Sequence, residues 1–291
     1  MRILNRHKAT LCILDQVGRP LSRLELTKLS FLLRHESASC GGSAYYQFVP
    51  FHYGPFSFCL YREASALVAQ GFVDEPDEKS WQFGKLGCCE ALRPGPPVQS
   101  DIVSLARRFG AMSTRQLVSY VYERYPRFTV NSKHSRRLER PIAPLAVYTA
   151  GYEGLLIDGF LNTLIHHGVQ RIVDVRRHPV ARRYGFHGST LSRLCRSMQI
   201  EYFHFPELGI PSALRASLDK PHDYSMLFER YKRGTLRNQE GTISGIARLM
   251  TTRPTALVCM EADPNRCHRS LVAKAVSEKT GLPVRHLEPV I

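Results

Sequence analysis

The strongest constraint on the fold is a series of short apolar segments that alternate with amphipathic ones after about residue 145. Strands are predicted for LAVYTAG, QRIVDVRR, IEYFHF and PTALVCMEA, and PVRHLEP is a fifth candidate. Helical patterns lie between them, one ending at Gly168 and another starting at Ser189. Such alternation predicts a mainly parallel sheet with helices on both faces. We therefore predict an α/β domain over residues 145–291.

The first part of the chain has a different, mostly helical pattern. Leu26, Leu29 and Leu33 recur at helical spacing. Ser22 and Glu25 predict a capping box at the start of that helix. The segments around it predict the order helix, helix, strand, helix and hairpin, which is typical of a winged helix.

Three local signals support this order. An aromatic strand is predicted to break at Gly54-Pro55, the next helix stops at Gly71, and Ser113 caps the second of two further helices. The runs KLSFLLRHE and YYQFVPFHYGPFSFCLYREASALVAQGFV resemble the winged-helix-like domain of SocA/Panacea antitoxin-type, phage-associated proteins. The resemblance covers roughly residues 5–90, and such domains bind DNA or proteins. It therefore implies a nucleic-acid or partner-binding domain, which with a helical extension spans residues 1–125.

A basic segment separates the two parts. Between Pro126 and Pro144 periodicity is lost, and one acidic residue, Glu139, accompanies five cations: Arg127, Lys133, Arg136, Arg137 and Arg140. The whole chain carries a formal charge of +15, divided as about +8 over residues 1–140 and +7 over the rest. Clustered cations displace counterions from phosphate backbones. We predict a linker over 126–144 that contacts nucleic acid, with DNA favoured; the alternative is a solvated basic surface.

Cysteine usage and hydropathy bear on the compartment. The eight cysteines form no CxxC pair and lie mostly in apolar runs: Cys12, Cys40, Cys59, Cys88, Cys89, Cys195, Cys259 and Cys267. This pattern favours reduced core thiols over a secreted disulfide framework. The N-terminal residues lack the pattern of a signal peptide, and no run of about 18 apolar residues predicts a membrane span. We therefore predict a cytoplasmic protein without membrane contact.

Polar residues collect directly after four of the predicted strands. They are Tyr152 and Glu153 after the first, Asp174, Arg176 and Arg177 after the second, Glu207 after the third, and Glu261, Cys267, His268 and Arg269 after the fourth. The carboxyl ends of parallel strands line the ligand crevice of such sheets. We therefore predict that these side chains share one pocket.

The same segments carry a family resemblance. YTAGYEG, IVDVRRHPVARRYGF, IEYFHFPELGIP and LVCMEADPNRCHRSLVA occur in the order and spacing of the family of the domain of unknown function numbered 488. The resemblance covers about residues 146–290, and the family name implies no activity. Members of this family often carry other residues in place of Tyr152 and Glu153, which weakens the case that Glu153 is catalytic.

The residue types suggest chemistry on a nucleotide. Arginine binds phosphate bidentately, and the amides that open the helix after Pro264 offer an anion seat. Cleavage of an N-glycosidic bond needs a carboxylate for the oxocarbenium-like sugar and a donor for the departing base; aromatic rings stack on the base. The candidate catalytic residues are Asp174, Glu153 and Glu261. The candidate substrate-binding residues are Tyr152, Arg176, Arg177, Arg183, Tyr184, Tyr202, Glu207, Cys267, His268 and Arg269.

Structural roles compete with these assignments. Asp174 could form a buried ion pair, and Glu207 or Glu261 could accept hydrogen bonds from arginine. Cys267 at a helix start should have a lowered pKa and could act as a nucleophile. Cys259, Cys267 and His268 are three potential zinc donors, but Cys259 is expected inside a strand and no fourth ligand has a recognisable spacing. No metal and no other cofactor is predicted, and nucleotide-binding glycine motifs are absent from the sequence.

Taken together, these features predict a DNA-directed, base-processing enzyme. The favoured reaction is that of an N-glycosidase, a DNA glycosylase-like hydrolase acting on a modified or unusual base, and the resemblances suggest phage defence or DNA modification by analogy. The alternative is a non-catalytic DNA-binding regulator whose α/β domain senses a nucleotide-like ligand. The sequence does not determine the oligomeric state.

Overall fold

A computed structural model of the chain describes residues 2–88, 92–211, 214 and 221–290. The prediction for Cys89 lies outside the described residues, as does that for the Cys88 side chain. The described cysteines are free thiols, and all of them except Cys40 are buried. Contacts divide the chain into two units, Met1–Glu139 and Arg140–Ile291, so the division falls inside the basic segment.

The first half of that basic segment is folded into the N-terminal unit, so it is not a linker. Pro126–Thr129 forms a turn of 3-10 helix. Phe128 is buried and packs edge-on against Phe31. The Asn131 side chain donates to the carbonyl of Pro50 over 3.1 Å. Apolar side chains between the cations explain the difference, because their burial holds the chain against the domain.

The N-terminal unit is mostly helical. Its elements are α1 (Asn5–Val17), β1 (Leu21–Ser22), α2 (Arg23–Glu36), β2 (Val49–Phe51), β3 (Gly54–Phe56), α3 (Phe58–Val68), β4 (Val73–Asp74), β5 (Ser80–Phe83), α4 (Pro96–Phe109) and α5 (Thr114–Arg124). β1, β5 and β4 form an antiparallel sheet in that order, and β2 pairs with β3 as a hairpin.

Local signals placed the starts of two of these helices. Ser22 and Glu25 form the capping box of α2, and Ser113 caps α5. The prediction that the aromatic strand ends at Gly54-Pro55 was wrong, because both residues belong to a strand. Gly54 instead opens β3 opposite Phe51, with a φ of +82° that favours glycine after the preceding turn.

Lys28 on α2 is an unusual buried cation. Its ammonium group donates to the carbonyls of Tyr53 (2.5 Å) and Pro55 (2.9 Å), at the turn between β2 and β3. Burial lowers the pKa of Lys28 to about 7, because charge is unfavourable away from water. Lys28 therefore anchors the hairpin to α2 with a group that loses its proton near neutral pH.

Lys28 should make the stability of the N-terminal unit depend on pH. Between about pH 7 and pH 10 the unfolded chain binds the lysine proton and the folded chain does not, so stability rises with pH. We expect a gain of up to about 2–3 kcal/mol between pH 7 and pH 9, which Lys28→Met abolishes. Urea unfolding at both pH values measures it. Lys79→Met, at an exposed position, is the control; an unchanged pH dependence in Lys28→Met would contradict the assignment.

The C-terminal unit is the predicted α/β domain. Its elements are β6 (Val147–Gly151), α6 (Ile157–His166), β7 (Arg171–Asp174), α7 (Gly188–Ser197), β8 (Glu201–His204), α8 (Pro221–Tyr231), α9 (Glu240–Met250), β9 (Thr255–Cys259), α10 (Arg269–Thr280) and β10 (Val284–His286). The five predicted strands are confirmed, and they form one parallel sheet in the order β10-β6-β9-β7-β8.

One hydrophobic core cluster of this unit lies between the sheet and its later helices. Val173 of β7 and Leu257 of β9 belong to one buried cluster with Ile246 of α9 and Val272 of α10. The sequence did not predict α8 or α9, which follow β8. Within the described residues, no helix is long and apolar enough to span a bilayer.

Candidate functional site

The candidate site lies at the carboxyl edge of the parallel sheet. β9 is inserted between β6 and β7, so Gly151 pairs with Cys259 and Asp174 pairs with Val258. The segments that follow these strands therefore leave from the same edge, where α/β sheets bind ligands. Their polar side chains, however, form two separate groups of contacts rather than the single shared pocket that we predicted.

The first group is a closed ion pair between Asp174 and Arg176. Asp174 is fully buried and accepts from the Arg176 guanidinium at 2.8 and 2.5 Å and from its backbone amide at 3.1 Å. The Tyr202 hydroxyl donates to the second carboxylate oxygen over 2.9 Å. These donors occupy both oxygens of Asp174. The prediction that Asp174 is a catalytic acid is therefore corrected: its carboxylate is enclosed by the loop that it holds.

Arg176 and Tyr152 are buried in the same group. Arg176 also donates to the Tyr152 hydroxyl over 2.8 Å and to the Phe186 carbonyl over 2.9 Å. Although burial opposes charge, the Asp174 carboxylate outweighs it and raises the pKa of Arg176. The Tyr152 ring stacks on Phe186 with centroids 4.1 Å apart. Arg176 is thus not an anion clamp, and Tyr152 is a core ring rather than a platform for a base.

The second group surrounds the Glu261 carboxylate. One carboxylate oxygen of Glu261 accepts from the thiols of Cys259 (3.1 Å) and Cys267 (3.0 Å). His268 is buried behind them, with one ring nitrogen 3.1 Å from the Val175 carbonyl. Burial favours the protonated form of Glu261, but the thiol donors outweigh it and lower its pKa. Glu261 is therefore an ionised, half-buried carboxylate at neutral pH.

Cys267 does not have the environment of a nucleophile. Its side chain is fully buried, and burial raises the pKa of the thiol instead of lowering it. The predicted anion seat is also absent from the described segment after Pro264. That segment is one turn of 3-10 helix, and the Asp263 carboxylate accepts from the Asn265 amide at its start over 2.8 Å. A substrate anion bound there would be repelled by the Asp263 carboxylate, which already accepts from the Asn265 amide.

Arg269 holds the loop that carries Glu261. Its guanidinium donates to the backbone carbonyls of Glu261 and, over 2.8 Å, Ala262. The arginine is buried, so the predicted role in binding a substrate anion is corrected. A methyl group on Gly151 would lie 1.9 Å from the same Glu261 carbonyl. Arg269 and Gly151 therefore fix the path of the loop between β9 and α10.

Glu153, which follows β6, is an exposed residue whose carboxylate contacts the loop between β9 and α10. Its side chain accepts from the Ala262 amide over 3.0 Å, and its own amide donates to the Met260 carbonyl over 2.9 Å. The carboxylates of Glu153 and Glu261 are thus both held at residues 260–262. Sequence reasoning selected both residues, and tertiary contacts bring Glu153 against the loop that carries Glu261.

The remaining predicted substrate residues lie along the β7–α7 connection and after β8. Arg177 and Arg183 are exposed, and Arg183 donates to the Leu155 carbonyl over 2.9 Å. Tyr184 is half-buried. Glu207 accepts from the Thr242 hydroxyl over 3.1 Å and not from Arg176. Of this set, the two arginines are placed to meet a ligand in solution.

The five cations predicted to contact a nucleic-acid backbone differ in exposure. Lys133, Arg136 and Arg137 are exposed. Arg127 is half-buried, with its guanidinium 4.8 Å from the Phe128 ring centroid. Arg140 donates to the carbonyls of Met198 (2.6 Å) and Val169 (3.5 Å), so it anchors the start of the C-terminal unit. Three of the five cations are therefore available to phosphate.

The comparisons with known proteins concern this C-terminal unit. Residues 156–276 match the family model described as the domain of unknown function DUF488. The DUF488 match begins beside α6 and extends into α10, so it includes Asp174, Cys259, Glu261 and Cys267 and stops short of Glu153. No curated protein and no solved structure matches the chain.

The residue that sequence reasoning undervalued is Cys259. We expected its side chain to point from the interior of a strand. Cys259 is instead the last residue of β9, and its sulfur lies within 4.8 Å of the Cys267 sulfur and of a ring nitrogen of His268. The spacing of Cys259, Glu261 and the Cys267-His268 pair was the available signal, and it becomes informative only once the strand end is known.

Proposed function

We propose that this protein is a nucleic-acid-directed, base-processing hydrolase that cleaves the N-glycosidic bond of a modified or unusual base in DNA. The observation that carries the proposal is the pair of carboxylates, Glu153 and Glu261, held by one loop at the carboxyl edge of the sheet. Glycosidic enzymes use two carboxylates, which stabilise an oxocarbenium-like sugar and manage the protons of the reaction. Asp174 supports this site from behind and does not contact the substrate.

The two carboxylates have different surroundings, which suits a division of roles. Glu261 is half-buried, and the Cys259 and Cys267 sulfurs hold one of its carboxylate oxygens, so the group is fixed in position and suited to stabilise positive charge on the sugar. Glu153 is exposed to solvent, where it can reach the substrate or a water molecule. Pairs of titratable groups in unlike environments commonly divide acid and base work in this way.

A segment that is rich in arginine and contains no acidic residue supports the proposal that the substrate is a polyanion. Residues 175–200 contain six arginines and no Asp or Glu; Arg177, Arg182, Arg183, Arg193 and Arg196 are exposed. Three of the exposed arginines lie in the β7–α7 connection, which starts at the edge that carries the carboxylates. Exposed guanidinium groups bind phosphate and release its counterions. This charge favours a DNA strand over a neutral glycoside.

We further propose that the N-terminal unit is a winged-helix-like, duplex-binding module of the SocA/Panacea type. The order α1, β1, α2, α3, β4 and β5, with the sheet order β1-β5-β4, supports this proposal. The exposed cations Lys133, Arg136 and Arg137 add phosphate contacts. A role in phage defence or DNA modification follows by analogy, and the protein would act in the cytoplasm.

Mass spectrometry of free bases tests the proposed reaction. The full chain is incubated with single- and double-stranded DNA that carries modified or unmodified bases. We expect a free base from at least one modified substrate, and we expect Glu153→Gln to lower its rate of release by about 10²–10⁴-fold. Glu278→Gln, at an exposed glutamate of α10, should keep the full rate.

The same experiment separates the enzyme from a regulator. If no substrate releases a base at any protein concentration, the hydrolase proposal fails. Sequence-specific duplex binding that changes with an added nucleotide would then support the non-catalytic alternative. Equal rates for wild type and Glu153→Gln would remove Glu153 from the mechanism.

A further inference from the structure

Three buried metal-ligand side chains meet beside Glu261. Cys259 ends β9, while Cys267 and His268 directly precede α10. Their two sulfurs and one imidazole nitrogen all lie within 4.8 Å of one another, and it is the one such group found in residues 2–88, 92–211, 214 and 221–290. The end of β9 and the start of α10, joined by one short loop, thus present two thiols and an imidazole to a common point.

The distances suit a tetrahedral zinc ion. Zinc binds sulfur at about 2.3 Å and imidazole nitrogen at about 2.0–2.1 Å, which places those two ligand atoms about 3.6 Å apart. The Cys259 sulfur lies 3.9 Å from Nδ1 of His268. A shift of a few tenths of an ångström would bring this pair to the tetrahedral spacing, and the Cys267 sulfur lies within 4.8 Å of both atoms.

His268 is oriented as a metal ligand. Its Nε2 lies 3.1 Å from the Val175 carbonyl, which can only accept, so Nε2 carries the proton. Nδ1 is then the unprotonated nitrogen, and it faces the Cys259 sulfur. Metal-bound histidines commonly donate their other ring N–H to a backbone carbonyl, which fixes the tautomer and the ring plane.

We propose that Cys259 Sγ, Cys267 Sγ and His268 Nδ1 bind a zinc ion. Two thiolates balance the charge of Zn²⁺, so the occupied site adds no net charge to a buried location. Soft thiolate ligands with an imidazole select zinc over magnesium or calcium. Three protein ligands leave the fourth tetrahedral position for water, as in catalytic zinc sites. Glu261 contacts both sulfurs but lies outside the three-donor group.

Zinc binding changes the partners of Glu261. In the structure both thiols donate to its carboxylate. Zinc binding would release the two thiol protons to solvent, so the carboxylate would lose these two donors and become available to water or substrate. This consequence rests on the proposed function, in which Glu261 is one of the two carboxylates. Zinc also ties the end of β9 to the start of α10 and so holds the loop in place.

Metal analysis of the full chain tests the site without an activity assay. Elemental analysis of wild type should find about one zinc ion per chain. After removal of zinc with a chelator, added Co²⁺ should produce thiolate-to-cobalt charge-transfer absorption. Cys259→Ser, Cys267→Ser and His268→Ala should each lower the bound zinc at least about 10-fold. Cys195→Ala, at a buried thiol of α7, should retain full zinc.

Each outcome bears on the proposal. Wild type that binds neither zinc nor cobalt overturns it, and so does a Cys267→Ser protein that keeps full zinc. Circular dichroism of each variant identifies any that fail to fold. For those positions, thiolate-to-cobalt absorption in the wild-type protein decides whether the metal is bound by cysteine. Bound metal without base release would leave the zinc site standing and refute the proposed hydrolase, whereas base release that survives complete removal of metal would refute the link between zinc and Glu261.

Discussion

Replacing Asp174 with alanine is expected to lower the free energy of unfolding of the C-terminal unit by about 3–5 kcal/mol. The substitution leaves the Arg176 guanidinium buried without its counter-charge, and it removes the acceptor of the Tyr202 hydroxyl. Removing one partner of a buried ion pair is costly because the other charge stays away from water. Urea unfolding followed by circular dichroism measures the change.

Glu153→Ala is the matched control for this prediction. Glu153 follows a strand at the same edge of the sheet, but it is exposed and makes one hydrogen bond, to the Ala262 amide, so its loss should cost at most about 1 kcal/mol. The two substitutions should therefore have different effects: Asp174→Ala should lower stability, and Glu153→Ala should lower turnover. An Asp174→Ala protein of wild-type stability that releases no base would instead restore Asp174 as a catalytic residue.

Gly151→Ala is expected to destabilise the C-terminal unit by about 2–3 kcal/mol and to displace the loop that carries Glu261. The new methyl carbon would lie 1.9 Å from the Glu261 carbonyl oxygen and 2.8 Å from its carbonyl carbon. A backbone atom that Arg269 also holds cannot rotate away as a side chain can, so the main chain must shift. Thermal unfolding measures the loss of stability.

Gly245→Ala is the matched control at a helical glycine, and we expect no loss of stability from it. Gly245 lies within α9, and a methyl group there meets no atom within 4 Å. Alanine is better than glycine in a helix by about 0.5–1 kcal/mol, so this variant should be as stable as wild type or more so. Equal stability of Gly151→Ala and wild type would show that the loop between β9 and α10 can move freely.

The α/β class of the C-terminal unit was predictable because strand and helix periods are local properties of the sequence. The five strands and the helices α6 and α7 have apolar runs of the expected length, bounded by turn residues. The caps at Ser22 and Ser113 depend on residues three positions apart, so short-range chemistry suffices for them too. α8 and α9 were missed, although Ile243, Ile246, Ala247 and Met250 of α9 recur at helical spacing.

The partners of each polar residue were decided by tertiary structure alone. Asp174 and Glu261 both follow strands in the sequence, yet one is enclosed by Arg176 and Tyr202 while the other accepts from two thiols. The insertion of β9 between β6 and β7 causes this difference, because it sets which strand ends are neighbours. The sequence by itself thus determined that acids, arginines and thiols gather at one edge of a parallel sheet. Only the packed chain decided which of them neutralise one another and which are left for chemistry.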